Sequence, residues 1–235
     1  MNALLEARGI RKVYAGGDGQ PLEVLRGIDL EVRRGEFVAI VGASGAGKST
    51  LLHLLGALDA PSGGDVWLDG SRYADLDAGA TAELRNRKVG FVFQFHHLLR
   101  EFSALENVMM PLLIGGMPPR QARSRGEEVL SEVGLAGRMT HRPAELSGGE
   151  QQRCAVARAL VHDPKMLLMD EPFGALDALT RGKMNLELLR IWKQAQKTIV
   201  FVTHGISEAV FLGSRVVVLS AGPAKMADNF AIDLP

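Results

Sequence analysis

Nine consecutive residues, Gly42-Ala43-Ser44-Gly45-Ala46-Gly47-Lys48-Ser49-Thr50, have the types and the spacing to hold a polyphosphate. They match the pattern G-x-x-x-x-G-K-[ST], a phosphate-binding loop when a strand precedes it and a helix follows. Glycines let backbone N–H groups turn inward and approach phosphate oxygens closely. A helix starting near Lys48 presents its positive dipole end to the same anion. The Lys48 ammonium supplies a full charge for β- and γ-phosphates, and the Ser49 hydroxyl is placed to ligate Mg²⁺. A plain glycine-rich turn is the competing reading, and the strand, the Lys-Ser pair and the helix together outweigh it.

Two further strings fit such a site. Met166-Leu167-Leu168-Met169-Asp170-Glu171 is an apolar strand ending in two acids, which puts carboxylates at the edge where open α/β sheets bind ligands. Asp170 is expected to hold Mg²⁺ through its water shell, and Glu171 to act as general base on the attacking water. Leu146-Ser147-Gly148-Gly149-Glu150-Gln151-Gln152-Arg153 opens a helix with small residues and free N–H groups, a second anion-binding device. Taken alone, Ser147 there reads as an ordinary N-cap. Three lone residues stay open on residue type only. Gln94, after Phe91-Val92-Phe93, could reach a metal-bound water or lie on the surface. His204, ending the Thr198–Thr203 run, could touch a γ-phosphate or be structural. Tyr14 could stack on an adenine or pack. Cys154, among Ala155, Val156 and Ala157, reads as core. His96-His97 lacks the company a metal site needs.

The elements that position these residues follow from periodicity. Leu4–Val13 and Val24–Val32 read as strands, with a turn at Gly16-Gly17-Asp18-Gly19 between them. Phe37–Val41 is apolar throughout, as in a strand covered on both faces. Lys48–Leu58, Ala80–Arg87, Arg120–Val133 and the stretch after Ser147 have helical spacing, and roughly residues 95–160 form a mostly helical insertion. Strand 166–169, helix 181–196, strand 198–203, helix 206–212 and strand 215–219 complete an alternation that implies a parallel sheet with crossovers.

Composition narrows the classes. The chain has 235 residues, 46% hydrophobic and 23% charged, enough to bury a core without disulfides or metal staples. Its 27 basic residues cancel 27 acidic ones, which argues against a broadly basic nucleic-acid binder. One cysteine excludes an intramolecular disulfide. No apolar run approaches the ~20 residues of a spanning helix, and Met1–Lys12 has four charges and no apolar centre, unlike a signal peptide. A cytoplasmic protein, or one on the cytoplasmic face of something else, is expected.

Over essentially its whole length the chain resembles the nucleotide-binding subunits of ATP-binding-cassette transporters. The strings stand in family order: Tyr14 as the A-loop aromatic, Gly42–Thr50 as Walker A, Gln94 as the Q-loop, Leu146–Arg153 as the signature, Met166–Glu171 as Walker B, Gly174-Ala175-Leu176-Asp177 as the D-loop and His204 as the switch histidine. The resemblance implies an α/β P-loop NTPase with a mainly parallel central sheet, an N-terminal antiparallel β region and a helical subdomain. Residues 1–235 would make one domain, with 1–94 and 161–235 as the RecA-like core and about 95–160 as the helical part. It also implies ATP and Mg²⁺ as ligands and catalytic work by Lys48, Gln94, Glu171 and His204. Ser49, Gln94 and Asp170 would serve the metal, and Tyr14, the loop 42–50 and Asp177 the nucleotide. Two copies would pair head-to-tail, so that Ser147, Gly148 and Gly149 of one complete the ATP site of the other. Integral membrane permease subunits would be the other partners, with no nucleic acid, and the protein would sit on the inner face of the cell membrane. The competing functions are a cassette ATPase of DNA repair or translation and a nucleotide-dependent regulator that does not turn over.

Two parts of the chain point to different branches. About 35–165, with Gln94-Phe95-His96-His97-Leu98-Leu99 and Met110-Pro111-Leu112-Leu113, resembles lipoprotein-releasing and related exporter ATPases. From about Leu168, Asp170-Glu171-Pro172-Phe173-Gly174-Ala175-Leu176-Asp177-Ala178-Leu179 and the closing Ile232-Asp233-Leu234-Pro235 resemble nitrate, sulfonate or taurine importers. One departure from the family is Gly205, where an Asp usually follows the switch histidine; its loss is expected to loosen the loop holding His204.

Overall fold

The computed structural model describes residues 3–17, 19–174, 176–195 and 197–233. Asp18, Ala175, Gln196, Leu234 and Pro235, which figure in the sequence reading, lie outside the described residues. In chain order the elements are β1 (Ala3–Ala15), β2 (Pro21–Arg33), β3 (Phe37–Gly42), α1 (Lys48–Leu55), β4 (Gly63–Leu68), β5 (Ser71–Arg72), α2 (Ala78–Lys88), β6 (Val89–Val92), α3 (Ala104–Ile114), α4 (Pro119–Glu132), α5 (Gly148–Leu160), β7 (Met166–Asp170), α6 (Ala178–Ala195), β8 (Thr198–Val202), α7 (Ile206–Leu212), β9 (Arg215–Leu219) and β10 (Met226–Ala231). They fall into two compact units, Met1–Thr81 with Leu188–Pro235, and Ala82–Glu187.

The first unit holds an antiparallel sheet in the order β2-β1-β4-β5. It also holds a parallel group in which β3 lies between β8 and β9, with β10 antiparallel on β9. Phe37 to Val41 are all buried, as a strand covered on both faces requires. α1 packs on β3 and β8, and α7 on β3 and β9. The ring of Phe37 meets Trp192 edge-on at 5.6 Å and Phe201 at 5.9 Å, while Trp192 Nε1 donates to the Gly35 carbonyl at 3.0 Å. That satisfies the one polar group the indole would otherwise bury.

The second unit has the parallel pair β6 and β7, in register from Val89↔Met166 to Val92↔Met169. Beside it, α3, α4 and α5 share one apolar core that includes Leu105, Val108, Val129, Leu130 and Ala157. Cys154 is in that core, and burial pushes its thiol up to about 12. α3 was not legible as a separate helix, since Pro111 interrupts its apolar run. Its start is fixed by a capping box, in which the Ser103 side chain accepts from the Glu106 N–H and the Glu106 carboxylate takes the Ser103 N–H. The expected α/β architecture, with its N-terminal antiparallel region, mainly parallel strands and helical segment, holds. β4, β5 and β10 are additions to it. α1 ends at Leu55 rather than Leu58, because the chain turns at Gly56 and Ala57, whose φ is 54°. α6 begins at Ala178 rather than Arg181, because Asp177 caps it.

Candidate nucleotide site

In the first unit, β3 ends at Gly42 and α1 begins at Lys48, so the glycine-rich loop spans a strand and a helix N-terminus. Gly47 sits at φ 83°, and a Cβ there would come within 2.8 Å of Leu25 and Val24 side-chain carbons; only glycine fits. No side chain caps α1 and no acid lies in its first turn, which leaves the leading N–H groups for an anion. Lys48 is buried, and its Nζ donates to the carbonyls of Gly42 at 3.0 Å and Ala43 at 2.9 Å. A cation is thus held inside the loop while Ser44, Gly45 and Ser49 face solvent and Ala46 is buried. An uncapped helix start over a buried ammonium fits a polyphosphate, and a solvent-facing hydroxyl at Ser49 fits its metal.

Tyr14, at the end of β1, is tied to this loop. Its hydroxyl donates to Asp59 at 2.9 Å and is hydrogen-bonded to the Thr50 side chain. Lys12 Nζ lies 4.8 Å over the ring and donates to Asp59 at 2.7 Å and to the Ala60 carbonyl at 2.7 Å. Burial, then the Asp59 carboxylate, raises the Tyr14 pKa. Burial alone would raise Asp59, but the Lys12 and Tyr14 hydrogen bonds bring it below its ordinary value. Lys12 and Asp59 were missed in the sequence; a lysine two positions before an aromatic on a strand, hence near one face, was the available signal. His204 follows β8, whose register with β3 runs to Ile40↔Val202. Gly42 and His204 therefore leave the sheet at one carboxyl edge.

The second unit repeats that offset. Val92 pairs with Met169, so Gln94 and Glu171 both lie two residues beyond the last matched pair. A Cβ on Gly174 would be 3.4 Å from Gln94 Nε2 and 3.6 Å from Glu171 Oε2, so the two side chains converge on this glycine. Glu171 has φ 42°, a left-handed value that costs a non-glycine residue about 1–3 kcal/mol and clusters at functional sites. Asp170, half-buried, closes β7 just before it. Asp177 Oδ1 accepts the Leu179 and Thr180 N–H groups at 3.1 Å each, and hydrogen bonds from Thr180 lower its pKa.

Ser147 is the N-cap of α5. Its hydroxyl accepts from the Glu150 N–H at 3.3 Å, and its own N–H donates to Glu150 Oε2 at 2.8 Å. Arg138 donates to Glu150 Oε1 at 2.9 Å. These bonds, the Ser147 N–H first, hold the Glu150 carboxyl at about 2. Ser147 and Gly148 are exposed, and a Cβ on Gly149 would stand 3.4 Å from Thr180 Cγ2, so the starts of α5 and α6 are neighbours. Further along α5, Arg158 donates to the carbonyls of His96 at 2.7 Å and His97 at 2.8 Å, anchoring the segment after Gln94.

A glycine-rich loop between a strand of a parallel sheet and an uncapped helix start is the arrangement of a P-loop nucleotide hydrolase. The ABC transporter family profile matches residues 25–174, and the chain belongs to this family of ATP-binding cassettes. It is 52% identical over 216 residues to the lipoprotein-releasing system ATP-binding protein LolD of Geobacter metallireducens, covering 92% of this chain and 96% of the relative. To LolD of Xanthomonas campestris pv. campestris it is 53% identical over 221 residues, 94% and 91% of the two chains. Among solved structures it resembles the dimeric post-hydrolysis state of the ATP-binding cassette MJ0796 bound to ADP and Pi. The TM-score is 0.87 and the identity 36%, over 98% of this chain and 100% of that one. A second dimeric structure of MJ0796, a bacterial ABC transporter cassette, gives 0.88 and 37%. The chain is an ATP-hydrolysing subunit of an ABC transporter that works on ATP with Mg²⁺, rather than a repair or translation ATPase. The exporter-type resemblance holds, and with 92% of the chain aligned, most of residues 168–235 falls inside it. Among the described residues no helix is long and apolar enough to cross a membrane.

Proposed function

We propose that the loop 42–50 binds the ATP phosphates, with Lys48 against the β- and γ-phosphates and Tyr14 under the adenine. The observation that carries this is the uncapped start of α1 above the buried Lys48 ammonium. Ser49, Asp170 and Gln94 would hold Mg²⁺, which when bound neutralises charge on the phosphate oxygens. Glu171 takes the proton of the attacking water and His204 contacts the γ-phosphate. The convergence of Gln94 and Glu171 on Gly174 supports putting base and metal sensor in one place. Residues 1–94 and 161–235 are the nucleotide-binding core with its β region, and 95–160 the helical part; the shared apolar core of α3, α4 and α5 supports that division.

Two copies pair head-to-tail, each offering Ser147, Gly148 and Gly149 to the other's ATP, with Asp177 nearby. Exposure of Ser147 and Gly148 and the dimeric MJ0796 cassettes support this. Closure of the pair drives integral membrane subunits, and the protein lies on the inner face of the membrane. The exposed Phe95, Leu99, Phe102, Leu113 and Ile114 around residues 94–114 suit a permease contact. The names of the relatives favour a lipoprotein-releasing system.

A titration with Mg-ATP tests the nucleotide half: the wild type binds and Lys48→Ala does not. Proteoliposomes carrying an exporter-type permease and acylated lipoprotein test the transport half. Lipoprotein should stimulate ATP turnover; stimulation only with an importer permease and its binding protein would reassign the cargo.

A further inference from the structure

We propose that Thr203 and Glu208 form a tether that positions His204 for hydrolysis, a role that rests on the reading of His204 as a γ-phosphate contact. His204 is exposed and lies between Thr203 and Gly205, so the backbone on either side bears on where it stands. On one side, the Thr203 N–H donates to the Ile40 carbonyl at 3.1 Å, which fixes the segment to β3. On the other, Gly205 is the N-cap residue of α7 and has no side chain to cap with. Glycine there also gives the loop the largest conformational entropy to lose.

Thr203 fills the gap. Its buried hydroxyl accepts the Gly205 N–H at 3.0 Å and donates to Glu208 Oε2 at 2.6 Å. The first bond closes a loop around His204; the second ties that loop to the first turn of α7. An O–H to carboxylate bond of this length is of the strong, charge-assisted kind. Glu208 occupies the third helical position, where a carboxylate usually reaches back to the N-cap N–H. Here Thr203 has taken that N–H, and Glu208 takes Thr203 instead. Its other oxygen, Oε1, is buried with no hydrogen-bond partner among the described residues. The pair thereby does what a capping side chain at position 205 would do, and so offsets the loosening expected from Gly205.

Steady-state kinetics on the full chain test this. Glu208→Ala should lower kcat by about tenfold to a hundredfold, the cost of a small misplacement near the chemistry, with KM and the Kd for Mg-ATP nearly unchanged. Glu208→Gln keeps an acceptor oxygen for Thr203 and should recover most of that loss. Thr203→Val keeps the volume and loses the hydroxyl; it should match Glu208→Ala and carries the test if that variant does not fold. In a His204→Ala background, Glu208→Ala should cost nothing more. A folded Glu208→Ala with full kcat beside an impaired His204→Ala would overturn the tether alone. Full turnover by His204→Ala would overturn the histidine reading and the tether together. Parallel loss of Mg-ATP binding and kcat would make Glu208 a general support and overturn the proposal.

Discussion

Lys12 and Tyr14 share one carboxylate: Asp59 accepts from the ammonium through Oδ1 and from the phenol through Oδ2, while that same ammonium lies 4.8 Å over the phenol ring. One face of Tyr14 is therefore claimed by a cation, and the residue as a whole is 37% exposed. A cation over an aromatic face contributes about 0.5–2 kcal/mol depending on desolvation. Lys12→Met keeps the aliphatic stem and removes the charge. It should weaken ATP binding by up to about thirtyfold, the limit reached if the ring loses its fixed pose without the cation, yet leave the affinity for inorganic tripolyphosphate unchanged. Calorimetric titration with both ligands checks this; equal loss for the two would mean that Lys12 serves the phosphate loop instead.

Glu171→Gln should bind Mg-ATP normally and turn it over about 10²–10⁴-fold more slowly, the usual contribution of a general base. Binding without hydrolysis should also hold the closed pair, so sedimentation should show monomers becoming dimers when ATP is added. Wild-type turnover would place the base elsewhere.

Gly149 borders Thr180 with room for little more than a Cβ, at 3.4 Å. Gly149→Asp adds a carboxylate where a partner's γ-phosphate must approach bare backbone, so repulsion and crowding act together. ATP binding to the monomer should survive and hydrolysis should fail. Mixed with Lys48→Ala, both lesions fall on one composite site of a heterodimer and the other site is intact. Regained ATPase activity in the mixture is the expected result, and normal turnover by Gly149→Asp alone would remove the signature from the site.

The Glu150 carboxyl is held at about 2 against an ordinary 4.5, first by the Ser147 N–H, then by the Ser147 side chain and by Arg138. A depressed folded-state pKa adds stability that is complete above the unfolded value and disappears as pH falls to the folded one. Between pH 4.5 and about 2 the wild type should therefore lose this contribution. Glu150→Gln should melt at a lower temperature than wild type at neutral pH, and the two curves should converge by the bottom of that window. Parallel curves would show that the capping box adds no pH-dependent stability.

How much of this was legible in the sequence differs by element. Phe37–Val41 and Arg215–Leu219 could be read directly, since short runs rich in β-branched residues have few other ways to be buried. α3 was hidden because Pro111 broke the periodicity, though Ser103 and Glu106 three residues apart marked its start. β10, with five of its six residues exposed, has almost no apolar pattern to read. Among the candidate site residues, Lys48, Asp170, Glu171 and Ser147 stand out through the strings they belong to. Lys12, Asp59, Thr203 and Glu208 do not, because their meaning lies in contacts between segments far apart in the chain or in a hydroxyl whose partner no pattern specifies.

Helix α5 is gripped at both ends. Ser147 and Glu150 lock its first turn, and near its other end Arg158 clasps the carbonyls of His96 and His97. About 16 Å of helix, at 1.5 Å per residue, separates the two grips. One hydrogen-bonded helix thus joins the Ser147 end to the segment behind Gln94 and stands between them as a strut.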